Sequence, residues 1–226
     1  MIAVEASEAW RGRHPGAAVG FLEVSDVRNP AEHAGLEARK RALETELRER
    51  LGRLERKALA QHAVLPAYAA YYKAFQKTYH VQAQLESVVL KGRALPSVAA
   101  LVEAMFMAEL KNLLLTAGHD AAALRGPVRV DVAAGDERYM SLRGQPQMLK
   151  PGDMFMADEE GVISSILFGP DQRTPIQAST THVLFAVYAP AGIGAQAVDA
   201  HLHDILELVR VVAPSAALEA LTVFGG

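Results

Sequence analysis

The spacing of apolar positions switches from mainly helical to mainly alternating near residue 126. Before that point Leu36, Leu43, Leu47, Leu51, Leu54 and Ala58 recur at the three, four and seven spacing of one helix face. The pattern predicts a long amphipathic helix over 34–61, with Gly52 as its weakest point. Pro66 suits a first helical turn and opens PAYAAYYKAFQK. A short helical segment near 82–90 follows, closed by Lys91-Gly92-Arg93. LPSVAALVEAMFMAELKNLLL, residues 95–115, starts on Pro96 and Ser97 and is apolar nearly all round, the composition of a buried central helix. Met105, Phe106 and Met107 within it read as core filling, because methionine packs irregular gaps. One strand precedes these helices: GAAVGFLEVSDV, 16–27, with Val19, Phe21 and Val24 ahead of a turn at Arg28-Asn29-Pro30.

After Gly126-Pro127 the period falls to two. VRVDVAA, ERYMSL, DMFMAD, GVISSILF and THVLFAVYAP read as strands separated by turn residues, and DMFMADEEGVISSIL as a hairpin. Gly192 and Gly194 lead into a late helix with a Val198, Leu202, Ile205, Val209, Val212 stripe, and LEALTVF closes the chain as a strand. Helices first, strands after and one late helix predict an α+β fold rather than alternating α/β.

Composition then sets bounds. At 226 residues, half of them apolar, the chain can bury a sizeable core. No apolar run approaches the roughly 20 residues that cross a bilayer, so no membrane segment is expected. The N-terminal MIAVEASEAWRGRHPG lacks the basic region and long apolar run of a secretory signal, which leads to a cytoplasmic reading. Without cysteine there are no disulfides and no thiolate metal sites. The net charge of −3 argues against gripping nucleic acid by charge alone. Its distribution is uneven: residues 36–93 hold twelve Lys/Arg against six Glu. The first part of that stretch reads as a helix laced with Glu-to-Arg pairs four residues apart, such as Glu37/Arg41, Glu44/Arg48, Glu46/Arg50 and Glu49/Arg53. In the second part Lys73, Lys77, Tyr79, Lys91 and Arg93 form a candidate RNA-binding set, since bases stack on exposed aromatics; the competing reading puts those tyrosines in the core.

No nucleotide-binding loop, nucleophile elbow or HExxH pair is present. His201 and His203 stand two apart on a helix and point about 200° from one another, so they read as surface histidines, and no metal or cofactor is expected. Two stretches remain. In NLLLTAGHD, 112–120, Gly118 reads as a helix stop that leaves His119 and Asp120 just beyond it. His119, Asp120 and Asn112 are the candidate catalytic residues, because a histidine beside a carboxylate can position a water near neutral pH. Lys111 would support a substrate there. In LFGPDQRTPI, 167–176, a turn sets Asp171, Arg173 and Thr174 at a strand end, where they could hold an ammonium group or a phosphate, with Ser165 just upstream. Each stretch also has a bland reading, as a capped helix end and as a hairpin loop with a surface ion pair.

The order AYYKAFQKTYHVQAQLESVVLKGRALPSVAALVEAMFMAELKNLLLTAGHD, PVRVDVAAGDERYMSL, KPGDMFMADEEGVISSILFGPDQRTPI and THVLFAVYAPAGI resembles the freestanding relatives of the editing and tRNA-binding domain of bacterial phenylalanyl-tRNA synthetase β-subunits, the unit of the third and fourth B modules. The likeness runs from about residue 19 to the end. It implies a single domain over 1–226, made of two intertwined modules, helix-rich over about 16–125 and β-rich over about 126–226, with an unusual sandwich-like sheet core and a pocket between the modules. It also implies a stand-alone deacylase that hydrolyses the ester of a mischarged tRNA. The alternative is a non-catalytic module that binds tRNA or a small amino-acid-like ligand. A synthetase is a further possible partner, and the oligomeric state stays open. In register, the family's functional His falls on Ala117 and an Asn of its central helix falls near Phe106.

Overall fold

VLFAVYA, Val183–Ala189, is buried at every position, which a strand requires only when both its faces are covered. The computed structural model describes residues 1–225, and in chain order its elements are β1 (Val4–Ala6), α1 (Glu8–Arg13), β2 (Ala18–Ser25), α2 (Ala34–Leu51), α3 (Arg56–Leu59), α4 (Leu65–Ala74), α5 (His80–Val89), α6 (Ala100–Asn112), β3 (Leu115–Asp120), β4 (Val128–Val132), β5 (Arg138–Met140), β6 (Pro146–Met148), β7 (Met154–Asp158), β8 (Gly161–Ser165), β9 (Gly169–Pro170), β10 (Val183–Ala189), α7 (Ala195–Val212) and β11 (Ala217–Gly225). This is the expected α+β fold with its late helix. The four-stranded sheet β11-β2-β10-β3 is antiparallel, and it takes β2 and β3 from the first half of the chain and β10 and β11 from the second. A five-stranded sheet runs β1-β4-β7-β8-β9, antiparallel except where β1 joins β4 in parallel, and β5 pairs with β6 as a separate hairpin. One hydrophobic cluster joins both sheets and the helices, from Val130, Met156 and Ile163 to Phe185, Leu202 and Leu101.

Helix α7 lies on β2 and closes the four-stranded sheet from one side. Gly20 makes that approach possible, because a Cβ there would collide with Val198 and Leu202. Helix α2 stops at Leu51, ten residues short of the expected end, with Gly52 as its cap and a separate turn of helix, α3, after it. Of its expected ion pairs, Glu44 to Arg48 and Glu46 to Arg50 form, whereas Glu37 turns to the buried Lys40 beside Glu103.

The larger departure lies at NLLLTAGHD. Helix α6 ends at Asn112, and Leu113 turns the chain in the left-handed region at φ 62° while its N–H still bonds Glu109 O at 2.6 Å. Leu115–Asp120 is then strand β3, paired with β10 from Leu115 opposite Tyr188 to Asp120 opposite Val183. Gly118 is therefore mid-strand rather than a helix stop. A side chain there would collide with Ile176, which is the reason for glycine. A leucine in the left-handed region costs roughly 1 kcal/mol. Burial of Leu113 and the bond from Tyr79 Oη to its carbonyl at 3.0 Å hold it there.

Candidate functional site

Where β3 leaves α6, a cavity of about 480 Å³ opens between the helices and the segment that carries β8 and β9. Its walls are Val102, Met105 and Phe106 of α6, Leu115 to Gly118 of β3, Ser165 to Pro170, and Pro175 and Ile176. Leu142, beside the β5–β6 hairpin, and His80 complete the rim, and Tyr188 of β10 lies inside. Mostly apolar walls with a few convergent polar groups are the usual character of a small-molecule site.

Besides Thr116, whose hydroxyl bonds His201, three polar side chains reach this space from buried positions. Tyr188 shares a bond with Ser164 Oγ at 2.7 Å, and Ser165 Oγ accepts the Phe168 N–H at 3.1 Å. The third is Glu109, which is 2% exposed and has a single hydrogen bond among the described residues, to the Thr116 N–H at 2.7 Å. Burial pushes its carboxyl up to about 8, with the Thr116 bond as a smaller opposing effect. No lysine or arginine is among the residues that line the cavity.

Of the substrate residues expected from the sequence, Ser165 lines the cavity. His119, Asp171, Arg173 and Thr174 come together in one cluster behind the wall that Gly118 and Pro175 form, with Arg173 partly exposed. The Thr174 hydroxyl donates to Asp171, which also accepts the Thr174 N–H at 3.0 Å. His119 Nδ1 must then donate to Thr174 Oγ1, 2.7 Å away, leaving Nε2 as a lone pair with no partner. Burial, aided by Arg173, lowers His119 to about 4, so the ring is neutral near pH 7. Arg173 is engaged within the protein, by Ala123 O at 2.8 Å and Asp158 at 2.7 Å, with Glu160 and Asp171 further out. Asp120 caps the Ala121–Ala123 turn and accepts from the Thr180 hydroxyl at 2.8 Å.

Lys111 and Asn112 face the other way, onto α7. Lys111 pairs with Asp204 at 2.6 Å, and Asn112 donates to Asp204 at 2.8 Å and to His201 Nδ1 at 3.1 Å. His201 is not a surface residue: it is fully buried, and its Nε2 donates to Thr116 Oγ1 at 2.7 Å. Burial lowers it to about 4. His203 is exposed beside Asp199, as the helix geometry requires. Among the described residues no cluster of three or more potential ligands could hold a metal ion.

The basic candidates divide. Lys73, Lys91 and Arg93 are exposed, and Lys77 lies over the Phe168 ring at the cavity rim, 4.3 Å from its centroid. Tyr79 is a core residue, correcting its reading as a stacking platform: 3% exposed, it stacks on Tyr68 with centroids 4.0 Å apart. Burial of Tyr68 and Tyr72 beside it follows from hydroxyls that reach the carbonyls of Tyr188 and Ile166.

Sequence reasoning passed over Glu109. An acidic residue in a helix that is apolar nearly all round is the signal that marks it.

Residues 63–205, more than half of the chain and including the walls of the cavity, match the B3/4 domain family. The chain belongs to that family. This B3/4 domain is similar to the phenylalanine–tRNA ligase β subunits of Mycoplasma genitalium, at 30% identity, and Mycoplasma pneumoniae, at 32%. Each likeness covers 69 residues, 30% of this chain and 9% of the relative, so the B3/4 domain matches under a tenth of those proteins. An N-terminal fragment of the phenylalanyl-tRNA synthetase β-subunit from Pyrococcus horikoshii aligns in three dimensions with a TM-score of 0.49 and 11% identity, over 98% of this chain and 50% of that one. Ala117 and Phe106 both line the cavity of this B3/4 domain. No helix among the described residues is long and apolar enough to cross a membrane.

Proposed function

We propose that this B3/4 domain acts on the aminoacyl end of a tRNA, taking the amino-acid moiety of a mischarged tRNA into the cavity and hydrolysing its ester. The observation that carries this reading is the cavity itself: it is apolar, it has room for an amino-acid side chain, and its walls lie within the residues that match the B3/4 family. Water would add to the ester carbonyl, the bond to the ribose oxygen would break, and that oxygen would take the proton, giving a free amino acid and deacylated tRNA. The polar groups within reach of such an ester are the hydroxyls of Ser165 and Tyr188 and the Glu109 carboxyl. His119, Asp171 and Thr174 would act from behind the wall, by keeping Gly118 and Pro175 in place. Lys77 at the rim, with Lys73, Lys91 and Arg93, would meet the phosphates. A panel of misacylated tRNAs tests the proposal: hydrolysis of at least one above the spontaneous rate is expected, and none hydrolysed at any concentration refutes it.

A second reading has its own observation. His119 and Asp120 do not line the cavity, which favours a module that binds an aminoacyl-tRNA or an amino-acid-like ligand without turnover. Saturable, salt-dependent tRNA binding with the ester left intact selects it.

A further inference from the structure

We infer that Glu109 is the anchor for a cationic head group, so that the ligand of the cavity is a primary amine with an apolar body. The inference deepens the proposed function, since the α-ammonium of an aminoacyl group is one such amine and a free aliphatic or aromatic amine is another.

The argument starts from what Glu109 lacks. Its carboxyl is 2% exposed and lines the cavity, yet its one partner among the described residues is the neutral Thr116 N–H. Three other buried glutamates in this molecule are supplied with more. Glu103 has Lys40 at 3.2 Å and the Val98 N–H at 2.7 Å; Glu44 has Arg48 at 3.3 Å and the Leu95 N–H at 2.6 Å; Glu23 has the His182 ring at 2.9 Å and the Ile2 N–H at 2.7 Å. Glu109 has a side facing the cavity and no counter-charge. A core position that needed only shape would carry leucine or methionine, because an unpaired buried carboxyl costs several kcal/mol that an apolar residue avoids.

The ionisable groups around it all have a neutral form. Tyr68 and Tyr72 approach from α4, Tyr79 and His80 from the start of α5, and Tyr188 from β10; burial raises all four tyrosines, so none is an anion. The carboxyl is therefore mostly protonated near pH 7 in the empty cavity. An ammonium placed against it reverses the balance: the carboxyl gives its proton to solvent and the two charges pair in low dielectric. The surrounding Val102, Met105, Phe106, Leu167, Phe168 and Ile176 then cover the rest of the ligand.

Proton release gives the test. Phenethylamine and leucinamide, with phenylethanol and 4-methylpentanamide as their amine-free counterparts, are titrated by calorimetry into the whole protein at pH 7 in two buffers of different ionisation enthalpy. At pH 7 the amines are expected to bind with most of one proton released; at pH 9 the release falls toward none for phenethylamine, whereas leucinamide, whose α-amine is largely neutral there, takes up a proton; and the amine-free molecules bind at least tenfold more weakly. Glu109→Gln keeps the acceptor for Thr116 and should fold normally. It is expected to weaken the amines by about tenfold to a hundredfold and to abolish the proton release. Equal binding of amines and their counterparts, unchanged binding by Glu109→Gln, or no binding of any amine each overturns the inference. A parallel arm uses misacylated tRNA and the same tRNA carrying the deaminated acyl group. Loss of the amine preference there, with deacylation intact, removes the anchor but leaves the proposed function. Amine binding with proton release but no action on any tRNA does the reverse and identifies a free amine as the ligand.

Discussion

The cluster around Thr174 and the cavity beside it share a wall but handle buried polarity in opposite ways. Behind the wall, Asp171, Thr174, His119, Arg173 and Asp158 use up nearly every donor and acceptor on one another, leaving only His119 Nε2 unpartnered. In the cavity, a carboxyl of similar burial faces apolar walls with one partner. The first pattern stabilises a fold, because each member would be costly to orphan. The second spends stability and makes sense where a ligand supplies what is missing. Residue type alone does not separate the two; the number of unmet valences does.

The sharpest way to break this comparison is to remove a member of the saturated cluster. Asp171→Ala leaves the Thr174 N–H and hydroxyl without an acceptor and removes a carboxylate beside Arg173, and it should cost about 2–4 kcal/mol in urea unfolding. A change under about 0.5 kcal/mol would show that the cluster is not structural.

The second prediction reverses the sign. Glu109 is raised in the folded state to about 8, above the ordinary glutamate value. Its contribution to stability is thus complete at pH values below the unfolded value and is lost as pH rises through 8. Wild-type protein should lose about 2–3 kcal/mol from this group between pH 6 and pH 9, and Glu109→Gln should remove that part of the slope, its stability lying closest to wild type near pH 4. Asp153, raised by burial to about 7 with Oδ2 unpartnered, adds a similar slope that the Glu109 variant leaves intact, so the difference between the two proteins isolates Glu109. Parallel unfolding curves at both pH values would place the Glu109 carboxylate in contact with water.

The smallest effect concerns the rim. Lys77→Ala should reduce tRNA affinity by a few-fold and lower the salt slope by about one, with amine binding unchanged. An equal loss for both ligands would move Lys77 from the nucleic-acid surface into the cavity.

Much of the fold was legible. Strand β2, the β7–β8 hairpin and the α7 stripe follow directly from period, since each repeats one face long enough to be unambiguous. NLLLTAGHD was misread because an apolar run of that length suits a buried helix and a buried strand equally; the decision was made by β10, which lies more than sixty residues away. The three-residue β1 and β6 are too short to carry any period. Within the site, the polar character of the stretches that hold His119 and Asp171, Arg173 and Thr174 was readable from the sequence. That they saturate one another was not, and Asn112, Lys111 and Tyr79 were misplaced for the same reason: a polar group announces that it needs a partner without naming it.

The left-handed Leu113 has a consequence for how the cavity can change shape. Glu109 precedes this joint and Thr116 follows it, and the hydrogen bond between them closes a short loop of chain around the corner. Helix, corner and strand thus behave as a fixed jaw whose anchoring group cannot drift from its wall. Any opening to admit a bulky ligand falls to the opposite jaw, Ser165 to Pro170 with Leu142 and Ile176, and the size of guest this protein tolerates is set there.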